Sequence, residues 1–227
     1  MEFGASFIIF IAAHIVPAAC GLRERMIAIM GRGRYIAAYA LLSTALLLWV
    51  IWSMQRAPYV ELWPPSPLLN AVPLVVMPVA LALLGAAVAR PNPLSISFRR
   101  AEASEAMNGV LSITRHPVLW AVLLWSASHL LANGDLVAAV LFGSMALFSV
   151  QGMVALDRRA RKKLGEQVWR ELARTSSALP LVALLHGRTD ARINSWDLVG
   201  ACAGIAVYLV MLASGHEWLI GISPTWR

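Results

Sequence analysis

Six apolar stretches, each near the length that crosses a lipid bilayer, constrain this chain more than any other feature. They cover residues 3–21, 35–54, 70–89, 117–132, 136–156 and 197–219. A spanning α-helix needs about 20 mostly apolar residues, within a range of about 17–25. The fourth stretch is short and is followed by Asn133-Gly134-Asp135, a turn signal, so the fourth and fifth form a predicted helical hairpin. We therefore predict an all-α, polytopic membrane bundle of about six transmembrane helices.

The composition supports one membrane domain over the whole chain, residues 1–227. Hydrophobic residues make up 59% and charged residues 14%, against about 45–50% and 25% in soluble proteins. We detect no linker, low-complexity segment or internal repeat that would divide the chain. The N-terminus, Met1-Glu2-Phe3-Gly4, lacks the positive region of a signal peptide, so the first stretch is predicted to be an uncleaved span.

The basic residues predict the orientation in the membrane. Seventeen of the 19 Lys and Arg residues lie in the three loops 22–34, 90–116 and 157–196, and only Arg56 and Arg227 lie elsewhere. The positive-inside rule places these loops in the cytoplasm, and an even number of spans then places both termini outside. The net charge of +7 follows from this rule and favours anionic lipid as a partner. It does not indicate nucleic acid.

Two histidines, His14 and His129, lie inside predicted spans. An ionisable side chain at membrane depth costs about 2–3 kcal/mol, so it usually faces a partner or a cavity. Neutral imidazole is a ligand for haem iron, and two histidines on separate helices can hold a cofactor between them. The alternative is that each is a hydrogen-bonding group between helices. Trp125 and Ser126 share the helix face of His129, and the Ser126 hydroxyl is positioned to donate to the imidazole or to an axial ligand.

A second group of polar residues, Arg115-His116-Pro117, begins the fourth span. Proline suits the first turn of a helix, and a helix N-terminus beside an arginine fork attracts anions. His116 is an anion contact, a cap or a support for such a site. Farther on, residues 157–190 form a predicted cytoplasmic amphipathic segment, because Leu164, Val168 and Leu172 recur every four residues. It is either an interfacial helix on anionic lipid or a lid over a cytoplasmic pocket.

Several segments resemble the NnrU family of bacterial membrane proteins. The matching pieces are AAHIVPA at 12–18, GRGRYIAAYALLS at 31–43 and, most specifically, ITRHPVLWAVLLWSASHLLANGD at 113–135. The resemblance implies a multi-pass protein of the bacterial inner membrane. The family name derives from denitrification, with roles associated with nitrite and nitric oxide reduction. The same family includes the plant zeta-carotene isomerase, which carries haem b and isomerises a cis double bond in a redox-dependent way.

The resemblance also implies site residues. The haem-ligating histidines of the isomerase correspond to His14 and to His129 in this chain. His129 lies inside the segment Trp125-Ser126-Ala127-Ser128-His129. In the isomerase the corresponding segment reads Trp-Cys-x-x-His. Ser126 stands at the position of that Cys, so a possible thiolate ligand is absent here. We expect haem b bound through these two histidines, with the remaining site residues being Arg115, His116, Trp125 and Ser126. The resemblance implies an apolar polyene as the substrate or a redox protein as the partner, and it assigns no catalytic residue in this chain.

Two other functions stay open at this point. Arg115, His116, Pro117, Gly165 and Trp169 loosely resemble the isoprenylcysteine carboxyl methyltransferases, which implies S-adenosylmethionine binding near the cytoplasmic face. Alternatively, the absence of a nucleophile–base arrangement or paired carboxylates in the sequence is compatible with a cofactor-free assembly factor for a denitrification reductase.

Overall fold

The computed structural model describes residues 2–102 and 107–225, and within these ranges the chain is helical, with no strand beyond one isolated bridge between Glu61 and Asp135. The helices are α1 (Glu2–Ala19), α2 (Leu22–Met30), α3 (Arg32–Gln55), α4 (Pro67–Ala89), α5 (Val110–Ile113), α6 (Pro117–Asn133), α7 (Leu136–Leu164), α8 (Glu166–Arg174), α9 (Val182–Leu185), α10 (Ser195–Val210) and α11 (His216–Ile220). A π-helical segment, Met211–Gly215, joins the last two. The predicted all-α class is confirmed.

Four segments in the described ranges are long and apolar enough to cross a membrane: α3, α4, α7 and Ser195–Ile220. The bent pair of α1 and α2 adds a fifth when it is counted as one span, and α6 is a shorter apolar helix. These segments confirm a membrane helical bundle. The count of six spans and the outside location of both termini stay predictions, and Arg227, used in that orientation argument, lies outside the described residues.

Helix α7 runs for 29 residues, well beyond the predicted end of the fifth span at residue 156. The predicted amphipathic segment 157–190 is therefore divided among three elements. Its first residues continue α7, Gly165 then adopts a left-handed φ of +85°, and α8 and α9 follow. A left-handed φ suits glycine because it has no Cβ, so the chain changes direction there.

The chain forms two compact units. The first consists of α1, α2, α3 and the connection to Leu62, together with Asp135–Leu141. Helices α1 and α3 pack along each other, and the buried hydroxyls of Ser6 and Ser53 are 2.7 Å apart. Many large side chains of α3 are exposed, as expected for a helix that faces lipid.

The second unit contains Trp63–Gly134 and Phe142–Arg227, in which α4 packs against both α6 and α10. The α4–α10 contact is a backbone contact, because a Cβ on Gly200 would overlap the backbone of Gly85 and a Cβ on Gly204 would overlap the Leu81 carbonyl. Gly200 and Gly204 form a small-xxx-small motif, which lets membrane helices approach closely. The Tyr208 hydroxyl adds a hydrogen bond of 3.0 Å to the Leu74 carbonyl.

The second unit contains a hydrophobic core. Its buried members are Ala86, Leu94, Met107, Val110, Leu111 and Ala160. Leu164, Trp169 and Leu172 pack against this core, so the apolar face of α8 lies on the protein.

We expect Gly204→Ala to lower the stability of the second unit by about 1–3 kcal/mol, because the added methyl overlaps the α4 backbone. The matched control is Gly143→Ala in α7, whose Cβ would meet no atom within 4 Å. This control should be neutral or slightly stabilising, since alanine favours helix. Thermal unfolding of both variants in detergent measures the difference, and equal midpoints would contradict the backbone contact.

Candidate functional site

His129 lies on α6 with its imidazole held in one orientation. Its Nδ1–H donates to the carbonyl of Trp125, one turn earlier, at 2.8 Å. In the neutral ring this leaves Nε2 as the nitrogen with the lone pair. The rings of Trp125, Phe142 and His216 lie around it, with centroids 5.9, 5.2 and 6.5 Å away. An anchored Nδ1 with an available Nε2 is the arrangement typical of metal-binding histidines.

The Ser126 hydroxyl, fully buried, donates to backbone carbonyls of its own helix, Val122 at 2.7 Å and Leu123 at 3.2 Å. Neither bond involves His129. The neighbouring Ser128 hydroxyl lies 3.4 Å from His129 Nδ1 and donates to the Trp125 carbonyl at 3.0 Å. Ser128 therefore shares the acceptor that orients the His129 ring.

His14 belongs to the first unit and repeats part of this pattern. Its Nδ1 donates to the carbonyl of Phe10, also one turn earlier, at 2.6 Å, and its Nε2 accepts a hydrogen bond from the Ser43 hydroxyl at 3.0 Å. The Tyr39 ring meets it edge-on, with centroids 5.6 Å apart. His14 is thus oriented like His129, but its Nε2 already has a partner on α3.

A cavity of about 230 Å³ adjoins His14 within the first unit. It is lined by His14, Pro17, Arg23, Tyr35, Ile36 and Tyr39, and we call it the His14 cavity. Typical small-molecule pockets measure about 300–1,000 Å³, so this cavity suits a small group or one end of a larger ligand. Arg23 and the two tyrosines give it polar donors beside an otherwise apolar wall.

The residues at the beginning of α6 form a separate polar cluster. His116 is fully buried, with Ser95 Oγ 2.8 Å from its Nδ1 and Asp157 Oδ1 3.1 Å from its Nε2. The Arg115 fork binds the same carboxylate, from Nε at 2.9 Å and from Nη2 at 2.5 Å. We call Ser95, Arg115, His116 and Asp157 the Asp157 cluster. Bidentate arginine–carboxylate pairs of this kind are among the stronger polar contacts in proteins.

This geometry changes the interpretation of Arg115 and His116. The position of Arg115 at a helix N-terminus suggested that its guanidinium binds an anionic ligand, but the Asp157 carboxylate already occupies that guanidinium. The Arg115 guanidinium also lies 5.8 Å from the Trp169 ring, and Arg161 lies 4.1 Å from that ring. The cluster therefore joins α6, α7 and α8, and it lies at the opposite end of α6 from His129.

Three residues of these sites are not among the site residues predicted from the sequence: Ser95, Asp157 and His216. Asp157 could have been found, because a lone carboxylate directly before Arg158-Arg159 at the end of an apolar span is unusual. Ser95 lies in a loop ordered by Asn92, whose side chain accepts from the backbone N–H groups of Leu94 and Ser95. No periodic pattern marks it.

Comparison with known proteins now identifies the family. The family profile described as "NnrU protein" matches residues 2–224. The chain belongs to the NnrU family. Over 80 residues it is 31% identical to "15-cis-zeta-carotene isomerase, chloroplastic" of Arabidopsis thaliana, a match that covers 35% of this chain and 22% of that relative. This chain thus matches about a fifth of the length of that relative. No solved structure matches this chain.

We expect Asp157→Asn to destabilise this NnrU family member by about 3–5 kcal/mol, because it leaves the largely buried Arg115 without its counter-charge. The control is Asp190→Asn, which removes a carboxylate from an exposed pair with Arg192. Exposed pairs contribute little, so the control should melt like the parent protein. Thermal melts in detergent compare the two, and an unchanged Asp157→Asn midpoint would contradict a structural role for the cluster.

Proposed function

We propose that this NnrU family member binds haem b through intramembrane histidines of a bacterial inner membrane and acts as a redox-dependent cis–trans isomerase on an apolar polyene. The observation that carries the proposal is His129, whose Nδ1–H is anchored on the Trp125 carbonyl at 2.8 Å. This anchor leaves the lone pair on Nε2, with a fixed direction on an apolar helix, and so supports its use as an iron ligand. The similarity to a carotene isomerase adds the substrate class.

The donor chemistry of this chain fits a haem. His129 offers one Nε2, and the family resemblance offers His14 as the second ligand. His14 would have to exchange its hydrogen bond from Ser43 for the iron, and such a bond contributes about 0.5–1.5 kcal/mol. Haem propionates are carboxylates, so the Arg23 guanidinium in the His14 cavity is a suitable partner for one of them.

Each residue then has a task that follows from its contacts. The bond from His129 Nδ1 to the Trp125 carbonyl fixes the imidazole in one rotamer, and its Nε2 would hold the iron. The rings of Trp125 and Phe142 lie beside the imidazole, with centroids 5.9 and 5.2 Å away, and would shield it from water. When bound, haem supplies an iron centre whose oxidation state gates the isomerisation. Rotation about one double bond consumes no water and no second substrate, which suits a site made of apolar side chains.

The contacts do not favour the methyltransferase alternative. Arg115 and His116 bind the Asp157 carboxylate, and His116 is fully buried. A role in nitrite or nitric oxide reduction uses the same haem site and becomes the leading function if a haem is present and isomerisation is not.

We expect detergent-purified protein from haem-replete cells to show a Soret band and, after dithionite, the sharp α and β bands of low-spin haem b. His129→Ala should remove these bands because it would remove one of the proposed iron ligands. The control is His186→Ala, since His186 is exposed on the surface. A flat visible spectrum of the parent protein would eliminate haem binding, and unchanged bands in His129→Ala would eliminate His129 as a ligand.

The isomerase activity is tested separately with a cis polyene in detergent micelles. Conversion to the all-trans isomer, followed by chromatography, should occur in only one oxidation state of the protein. His129→Ala should lose it and His186→Ala should retain it. Haem-loaded protein that converts no polyene in either state would exclude the isomerase and leave the role in nitrite or nitric oxide chemistry.

A further inference from the structure

Three residues that line the His14 cavity carry polar groups without a protein partner. Among the described residues, the Arg23 guanidinium makes no ion pair or hydrogen bond, and the Tyr35 and Tyr39 hydroxyls make no hydrogen bond. Polar groups in a concave site that have no protein partner are satisfied by water or by a ligand. The cavity therefore offers one cation and two hydroxyl donors to a bound molecule.

The charge beside the cavity is positive. Segment 22–34, which includes Arg23, carries four arginines and one glutamate. That glutamate, Glu24, follows Arg23 directly, but adjacent residues of a helix do not face each other, and no ion pair joins the two within the described ranges. None of the described residues that line the cavity is acidic. An anionic oxygen group, which accepts hydrogen bonds from a guanidinium and from hydroxyls, is therefore the complementary ligand.

The cavity lies near the end of α1 and the beginning of α3. Tyr35 and Tyr39 are the fourth and eighth residues of α3, so both lie within about 11 Å of its first residue. Pro17 lies two residues before the end of α1 at Ala19. Because α3 is long and apolar enough to span a membrane, its first turns belong at the depth of the lipid head groups. Tyrosine is enriched at that depth, and anionic lipid attracts arginine there.

The rim of the cavity is apolar and exposed. Ile36 lines the cavity and is 53% exposed, and Ile15 and Val16, next to His14 in the chain, are also half exposed. Exposed apolar side chains on a spanning helix face lipid. A volume of about 230 Å³ is below the range of whole-molecule pockets, about 300–1,000 Å³. The cavity thus accommodates the polar end of a lipid-like molecule, with its apolar chain outside.

We propose that the His14 cavity binds the anionic end, a carboxylate or a phosphate, of a membrane amphiphile whose apolar chain lies in the lipid. Arg23 supplies the positive charge, and Tyr35 and Tyr39 donate hydrogen bonds to the anionic oxygens. A free fatty acid and an anionic phospholipid are the two sources of such a group. The proposal goes beyond the haem site and stands whether or not haem binds, although a haem propionate would compete for the same arginine.

The test titrates four probes into the full-length protein in non-ionic detergent micelles and measures the midpoint of thermal unfolding. A ligand that binds only the folded protein raises that midpoint. Oleate or dioleoylphosphatidylglycerol should raise it, and the one that acts at the lower concentration identifies the source of the anionic group. Oleyl alcohol, which has the chain without the charge, and inorganic phosphate, which has the charge without the chain, should not.

Three variants test the residues that carry the proposal. Arg23→Gln should weaken binding of the active probe by about tenfold or more, because hydrogen bonds to charged groups are the stronger ones. Tyr35→Phe and Tyr39→Phe should each weaken it by about threefold, since each removes one neutral donor. The matched control is Arg25→Gln, which removes an exposed arginine of the same helix that does not line the cavity. This control should bind like the parent.

Several results would overturn the proposal. Equal losses in Arg23→Gln and Arg25→Gln would indicate attraction to the general surface charge. A midpoint that oleyl alcohol or inorganic phosphate raises as much as the active probe would remove the requirement for an anionic amphiphile, and a midpoint that neither oleate nor the phospholipid raises would remove the site. The tyrosine variants carry the same test if Arg23→Gln melts below the parent without ligand. The Soret band of the same samples reports haem binding separately, so the two proposals can fail independently.

Discussion

The second unit depends on the hydrogen bonds and ion pair that the Asp157 carboxylate makes at the beginning of α6. This carboxylate binds the Arg115 fork and the buried His116, the two residues that precede Pro117 at the start of α6. Removing that carboxylate would leave a largely buried guanidinium unpaired, which is far costlier than breaking an exposed ion pair. The beginning of α6 is therefore held to α7 at one point. His129 follows 12 residues after Pro117, or about 18 Å along the same helix.

A different kind of contact positions the helix that leads to His216. Helix α10 lies against α4 through backbone atoms at Gly200 and Gly204, where any side chain would overlap the neighbouring helix. Lipid provides little hydrophobic drive for helices to associate, so such close van der Waals packing provides much of their attraction. The same helix continues through Met211–Gly215 into His216. The glycine contact thus supports the segment that carries His216 to the ring of His129.

Local sequence signals were sufficient to predict several of the helices. Helix α6 begins at Pro117, where proline at the first helical position was expected, and it ends at Asn133 before Gly134 with a left-handed φ of +67°. Helix α8 forms where the apolar residues Leu164, Val168 and Leu172 recur every four residues, and its apolar side chains Trp169 and Leu172 pack on the core. The same signals did not predict the partner of Arg115. Its charge and its position at a helix N-terminus suggest an anion site, but the Asp157 carboxylate of α7 already binds its guanidinium.

What the sequence by itself determined is the all-helical membrane class, the family and the place of His129 in an apolar helix. These follow from hydrophobic length, residue spacing and motif, because a bilayer requires backbone groups to be satisfied within each helix. Only the tertiary structure decided that His116 meets Ser95 and Asp157, and that His129 meets His216. Such pairs join residues far apart in the chain, and their contacts depend on where helices cross, which no local periodicity encodes.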